Sequence, residues 1–208
     1  MKLILLPSVL VLFGVLHHNL RKCDRASKHK LTDYRAREDA ANATRRKDIS
    51  NLPYLTVPLE TFPFDITPND QKKQLQIAEY RKEIEYLSTQ KMLNLIGVSN
   101  TELKEQYGPA NLEELSQYDQ NYSRYIRTLQ FFAECIYDEY PKQAVQLLEY
   151  CISIGTDISG TYNLLSQYYI EHHQQDHFLA LYDKIPQKNS ISGKTIQNIL
   201  DNKKETLL

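Results

Sequence analysis

Apolar positions recur at intervals of three and four through most of the chain beyond residue 69, the spacing that places them on one face of an α-helix. Ile77, Tyr80, Ile84 and Leu87, set among Lys72, Lys73, Arg81, Lys82, Glu83 and Glu85, predict an amphipathic helix over about 69–93 with Asn69 or Thr67 as its cap. A short helix is expected from Ser99 to Tyr107, capped by Ser99 or Asn100, with Glu102 in its first turn and Gly108-Pro109 as its stop. Residues 111–116 read as one further turn. Four helices then follow in two pairs. Ser123–Tyr140 carries Ile126, Leu129, Phe132, Ala133 and Ile136 inward, and Pro141 opens Lys142–Ile154, which Gly155 ends. Gly160–His173 carries Tyr162, Leu165 and Tyr169, and Asp176–Ile185 carries Phe178, Leu181, Tyr182 and Ile185. The chain therefore reads as all-α, with its helical domain over 69–203.

Two segments break this rhythm. Leu3–Leu16 is apolar apart from Ser8 and extends to Leu20 if His17, His18 and Asn19 sit at an interface. At 1.5 Å per residue, 18 residues is the short end of what crosses a bilayer. A secretory signal peptide is the rival reading, but no small-residue cleavage site follows the run. Residues 1–20 are therefore expected to be an uncleaved transmembrane anchor. Over 51–68, Pro53, Pro58, Pro63 and Pro68 alternate with Leu52, Tyr54, Leu55, Val57, Leu59, Phe62, Phe64 and Ile66. Proline at that density forbids a helix and a central strand. The apolar content predicts an extended strap lying on the helical domain, the alternative being a docking peptide offered to a partner.

Charge sharpens the layout. Residues 21–47 hold ten Lys or Arg against four acids, a net of +6, while residues 48–208 come to −8. A basic stretch directly after an apolar run, followed by an acidic body, fits a juxtamembrane linker over 21–50, compatible with a helix, better than it fits a nucleic-acid binder. Because Arg21, Lys22, Arg25, Lys28, Lys30, Arg35 and Arg37 outweigh Lys2, the body is expected on the cytoplasmic side. Cys23, Cys135 and Cys151 have neither an even count nor metal-ligand spacing, so they read as reduced thiols.

Leu129-Phe132-Ala133-Ile136 and Tyr162-Leu165-Ser166-Tyr169 share one spacing at an offset of 33 residues. This resembles the tetratricopeptide repeat (TPR) family over about 123–190. Ala144 and Leu148 match its second-helix pattern, whereas Phe178 stands where a small residue is usual and only Pro186 is available as the closing proline. The order of anchor, basic stretch, Pro-rich strap and terminal helical pairs is also similar to a group of uncharacterised membrane-anchored bacterial proteins. The resemblance implies helix-turn-helix pairs that bind a protein partner, and it brings no activity with it.

No catalytic signature assembles in the sequence. Ser192-Gly193-Lys194-Thr195 invites a phosphate-loop reading, but position 188 is Lys188 where that motif needs glycine. His172, His173 and His177 fall where a helical pair should turn, with no second ligand group in an identifiable pattern. No nucleophile–base set appears, so no cofactor, metal, nucleic acid or small-molecule substrate is expected. The fifteen tyrosines suit both helix packing and a peptide groove. The polar candidates for a groove floor are Arg124, Arg127, Gln130, Asn163 and Gln167, with Tyr169 beside them. The expected function is a membrane-anchored protein-interaction scaffold or adaptor; the alternative is an exported envelope-assembly protein held by its uncleaved signal anchor, and an enzyme of unfamiliar type is the third reading.

Overall fold

The computed structural model describes residues 30–205, and the regular elements among them are all helical, with no strand. The all-α expectation therefore holds for the described residues. None of the described helices is long and apolar enough to cross a membrane; the anchor expected over 1–20 lies outside the described residues.

Residues 30–42 form helix α1. It is followed by α2 (Gln71–Ser88), α3 (Asn100–Tyr107), α4 (Leu112–Ile136), α5 (Pro141–Ser153), α6 (Ser159–Glu171), α7 (Gln175–Ala180) and α8 (Ile191–Glu205). Single 3-10 turns lie at Leu59–Thr61, Pro109–Asn111 and Leu181–Lys184. The chain divides into two compact units, one whose described part is residues 30–48 with Ser99–Leu112, and one formed by Ile49–Val98 with the residues from Glu113 onward.

In the first unit, Ser99 caps α3 through a reciprocal capping box: its hydroxyl accepts from the Glu102 N–H, and the Glu102 carboxylate accepts from the Ser99 N–H at 2.7 Å. Gly108 ends α3 with φ +84, a conformation that favours glycine. Its missing side chain also matters, because a Cβ there would come 2.7 Å from the Arg45 carbonyl oxygen. Asn111 is fully buried and satisfied: its amide N–H groups donate to the Lys47 and Tyr107 carbonyls, both at 2.7 Å, and its Oδ1 accepts from Arg46 at 2.9 Å.

The second unit is built round α4. That helix begins eleven residues before the Ser123 start expected from the pattern, and residues 111–116 are no isolated turn. Leu115, Tyr118 and Tyr122, buried at intervals of three and four, extend the inward stripe back to Pro109-Ala110-Asn111. The helix also stops at Ile136 rather than Tyr140. The inward face of α4 packs into one core with Leu147, Leu148 and Cys151 of α5, Tyr162 and Leu165 of α6, Phe178 of α7, and Ile196 and Leu200 of α8. Each fully buried Leu, Ile or Phe contributes roughly 1.5–3 kcal/mol of transfer free energy. Helix α6 packs against α5, α7 and α8.

The expected helix at Asp176–Ile185 is α7 plus the 3-10 turn Leu181–Lys184, and α2 ends at Ser88, short of residue 93. Asp70, rather than Asn69 or Thr67, caps α2, accepting from the Lys72 N–H at 2.8 Å. Helix α8, which the pattern did not single out, includes Ser192-Gly193-Lys194-Thr195 in its opening turn. The Ser190 hydroxyl accepts from the Gly193 N–H at 2.9 Å.

Residues 53–68 carry a 3-10 turn at Leu59–Thr61 and a second turn at Phe64–Asp65, form no longer helix and no strand, and lie against this core. Phe64 stacks on Phe132 with centroids 5.8 Å apart, Phe62 meets Tyr150 edge-on at 5.3 Å, and Tyr54 meets Tyr118 edge-on at 5.5 Å. The Tyr140 hydroxyl fastens the end of the segment by donating to the Thr67 carbonyl at 2.9 Å.

Candidate partner-binding face on helix α4

With Tyr122, Tyr125, Ile126, Leu129, Phe132 and Ala133 turned into the core, helical periodicity turns Gln120, Arg124, Arg127 and Phe131 outward. These four positions, offset by four, three and four, span about 16 Å of helix at 1.5 Å per residue. With Asp119, Ser123 and Thr128 they line a surface depression of about 580 Å³.

The charges along this stripe are not equivalent. Asp119 Oδ1 accepts from the Leu95 N–H at 3.1 Å, and burial raises its carboxyl above the ordinary value. It is therefore committed inward. Arg124 is paired with Glu83 of α2, its Nη2 donating to Oε2 at 2.8 Å, and its guanidinium stands 5.9 Å from the centre of the Tyr86 ring. Arg127 has no hydrogen-bond or ion-pair partner among the described residues. One turn on, Phe131 leaves 52% of its surface to solvent. The Thr128 hydroxyl donates back to the Arg124 carbonyl at 2.9 Å and is used within the helix.

The structure distributes the six expected site residues over four places. Arg124 and Arg127 share the depression. Gln130 is buried, receiving the Thr161 hydroxyl of α6 and donating to Glu134 at 2.8 Å, so it ties α4 to α6 instead of flooring a groove. Asn163 is exposed on α6 and its carbonyl accepts from Lys203 of α8 at 2.7 Å; Gln167 donates to Glu171 on its own helix at 2.9 Å. Tyr169 is buried, and its hydroxyl donates to Glu149 of α5 at 2.8 Å. Burial, and then that bond, raise the phenol above its ordinary value.

Tyr169 belongs instead to a second cavity of about 200 Å³ between α5, α6 and α7, lined also by Glu149, His177 and Lys184. The His177 ring lies 5.3 Å from that of Tyr169. The neighbouring His172 ring stacks on Tyr168 at 3.9 Å, and His173 takes a left-handed conformation with φ +56 in the turn after α6. No group of three or more His, Cys, Asp or Glu side chains among the described residues is arranged to hold a metal ion.

Phe131 is the residue that sequence reasoning missed. Its signal was its position, four residues beyond Arg127 and seven beyond Arg124, which puts it on the arginine stripe and off the Leu129-Phe132-Ala133-Ile136 stripe. No family model, no curated protein and no solved structure matches this chain.

Proposed function

We propose that this protein is a non-catalytic, membrane-anchored scaffold whose helical body offers the outward stripe of α4 to a protein partner. The observation that carries the reading is the pair Arg127 and Phe131. An arginine without a partner among the described residues stands one turn from a half-exposed aromatic ring, on a helix whose opposite face is locked in the core. Arginine and aromatic side chains dominate the energetics of protein interfaces, and a guanidinium fork matches a carboxylate bidentately. The partner segment then carries Asp or Glu beside an apolar side chain.

The apolar run Leu3–Leu16 and the basic flank from Arg21 onward support an anchor with the body on the cytoplasmic side. Tethering raises the local concentration of whatever the α4 face holds without any further contact. A reporter fused after Leu208 should be active in the cytoplasm; activity solely outside it would reject this orientation.

The binding reading is tested by placing a photo-crosslinking phenylalanine analogue at Phe131 in the full anchored chain in cells. A discrete adduct is expected that disappears when Arg127→Glu is added and does not form from the same analogue at the exposed Glu60. Equal adducts from both positions, or none from Phe131, would reject the site.

A further inference from the structure

Helix α1 is amphipathic, but its inward stripe outruns its cover. Along 30–42, Leu31, Tyr34, Glu38 and Ala41 follow one another at three- and four-residue steps on one side of the helix. The carboxyl-terminal half of that stripe is occupied. Ala41 is fully buried, Glu38 accepts from the Thr101 hydroxyl at 2.7 Å and pairs with Lys104, and Arg37 grips both Glu105 oxygens at 2.7 Å. The amino-terminal half is bare, with Leu31 49% and Tyr34 59% exposed, and every residue from 31 to 37 is open to solvent.

The surrounding charge states what fits there. Lys30 and Arg35 flank the bare stripe, and residues 21–37 carry seven Lys or Arg against Asp24 and Asp33. Nine residues separate Leu20 from Lys30, a reach of at most about 35 Å, so an anchored chain keeps α1 close to the bilayer. A basic helix with an aromatic and a leucine on one open face is suited to anionic lipid headgroups, where Tyr sits with its ring in the apolar boundary and its hydroxyl in water.

We propose that the first turns of α1 lie on the membrane surface, with Leu31 and Tyr34 dipping to the headgroup boundary and Lys30 and Arg35 against anionic lipid phosphates. This rests on the reading of residues 1–20 as an anchor, and it assigns α1 a lipid contact of its own.

The sequence contains no tryptophan, so Tyr34→Trp gives a single fluorescent reporter at an exposed position. The full-length variant is reconstituted into vesicles of phosphatidylcholine with phosphatidylglycerol, part of the lipid carrying brominated acyl chains, and Leu31→Trp serves as an independent second reporter. Both should emit blue-shifted light and be quenched by bromine. The quenching should shrink in pure phosphatidylcholine and with Lys30→Glu/Arg35→Glu. Protein that floats with the vesicles while both reporters emit like a freely solvated indole would overturn the proposal and leave the anchor standing. Protein that does not float with the vesicles would overturn the anchor, and the proposal with it.

Discussion

The two compact units are held by different forces. Around Phe132, the second unit stacks Phe64, Tyr80 and Phe62–Tyr150 against α4 and α5 and continues through leucines and isoleucines to α8. The first unit buries few apolar side chains, Ala41 and Leu103 among them, together with the polar Thr101 and Asn111. Charges and amides do the joining there: Arg37 to Glu105, Glu38 to Thr101 and Lys104, Asn111 to two backbone carbonyls. Burial of apolar surface does not depend on charge screening or on carboxylate protonation, whereas exposed ion pairs respond to both. The same chain thus contains a body held by apolar burial and a smaller unit whose cohesion follows its ionic surroundings.

The sharpest way to break the comparison is to cut the core of the larger unit. Phe132→Ala removes a fully buried ring that stacks on Phe64 and tilts against Tyr80, and should cost about 3–5 kcal/mol, measured by urea unfolding. A loss below about 1 kcal/mol would mean that this aromatic layer is not what holds the second unit.

Next in size is Gly108→Ala. The positive φ and the approach to the Arg45 backbone leave the added methyl nowhere to go, so a loss of about 1–3 kcal/mol is expected. It should appear in the first unit, as faster amide exchange in α3.

Acid should act still more selectively. The Lys104 bond to Glu38 and the Arg37 bond to Glu105 hold both carboxyls below the ordinary value of 4.5. Groups depressed in the folded state contribute stability that is complete above their unfolded value and is lost as pH falls through the folded one. Corrected for intrinsic rates, α3 exchange should therefore accelerate below pH 4.5, and less so with added salt at neutral pH. The amides of α4 near Phe132 should not follow over that range, because the neighbouring Tyr80 and Tyr150 phenols are raised by burial and stay neutral in acid. Parallel loss in both helices would dissolve the distinction.

What could be read in advance follows the same division. Helix α5 and the α3 cap were legible because local residues dictate them, Pro141 at a first turn and Ser99 with Glu102 three residues later. The early start of α4 was not, because its inward stripe there is carried largely by Tyr118 and Tyr122, a residue type equally at home on a surface. Helix α8 was hidden by Ser192, Lys194, Thr195, Gln197 and Asn198 surrounding a sparse apolar stripe. The first unit was beyond reach for another reason. Glu38 meets Lys104 across 66 positions, and a surface ion pair leaves no periodic trace. Of the polar residues expected to floor a groove, Arg124 and Arg127 line the depression on α4, whereas Gln130 faces inward to Thr161 and apolar Phe131, which was not expected there, faces out.

The central claim is that the Arg127–Phe131 stripe binds a protein and contributes little to folding. The most direct test uses the partner recovered by crosslinking and the full chain in nanodiscs, titrated as wild type and as Arg127→Glu, with unfolding midpoints measured in parallel. The account predicts an affinity weaker by about tenfold or more at an unchanged midpoint. Equal affinities at equal midpoints would contradict it.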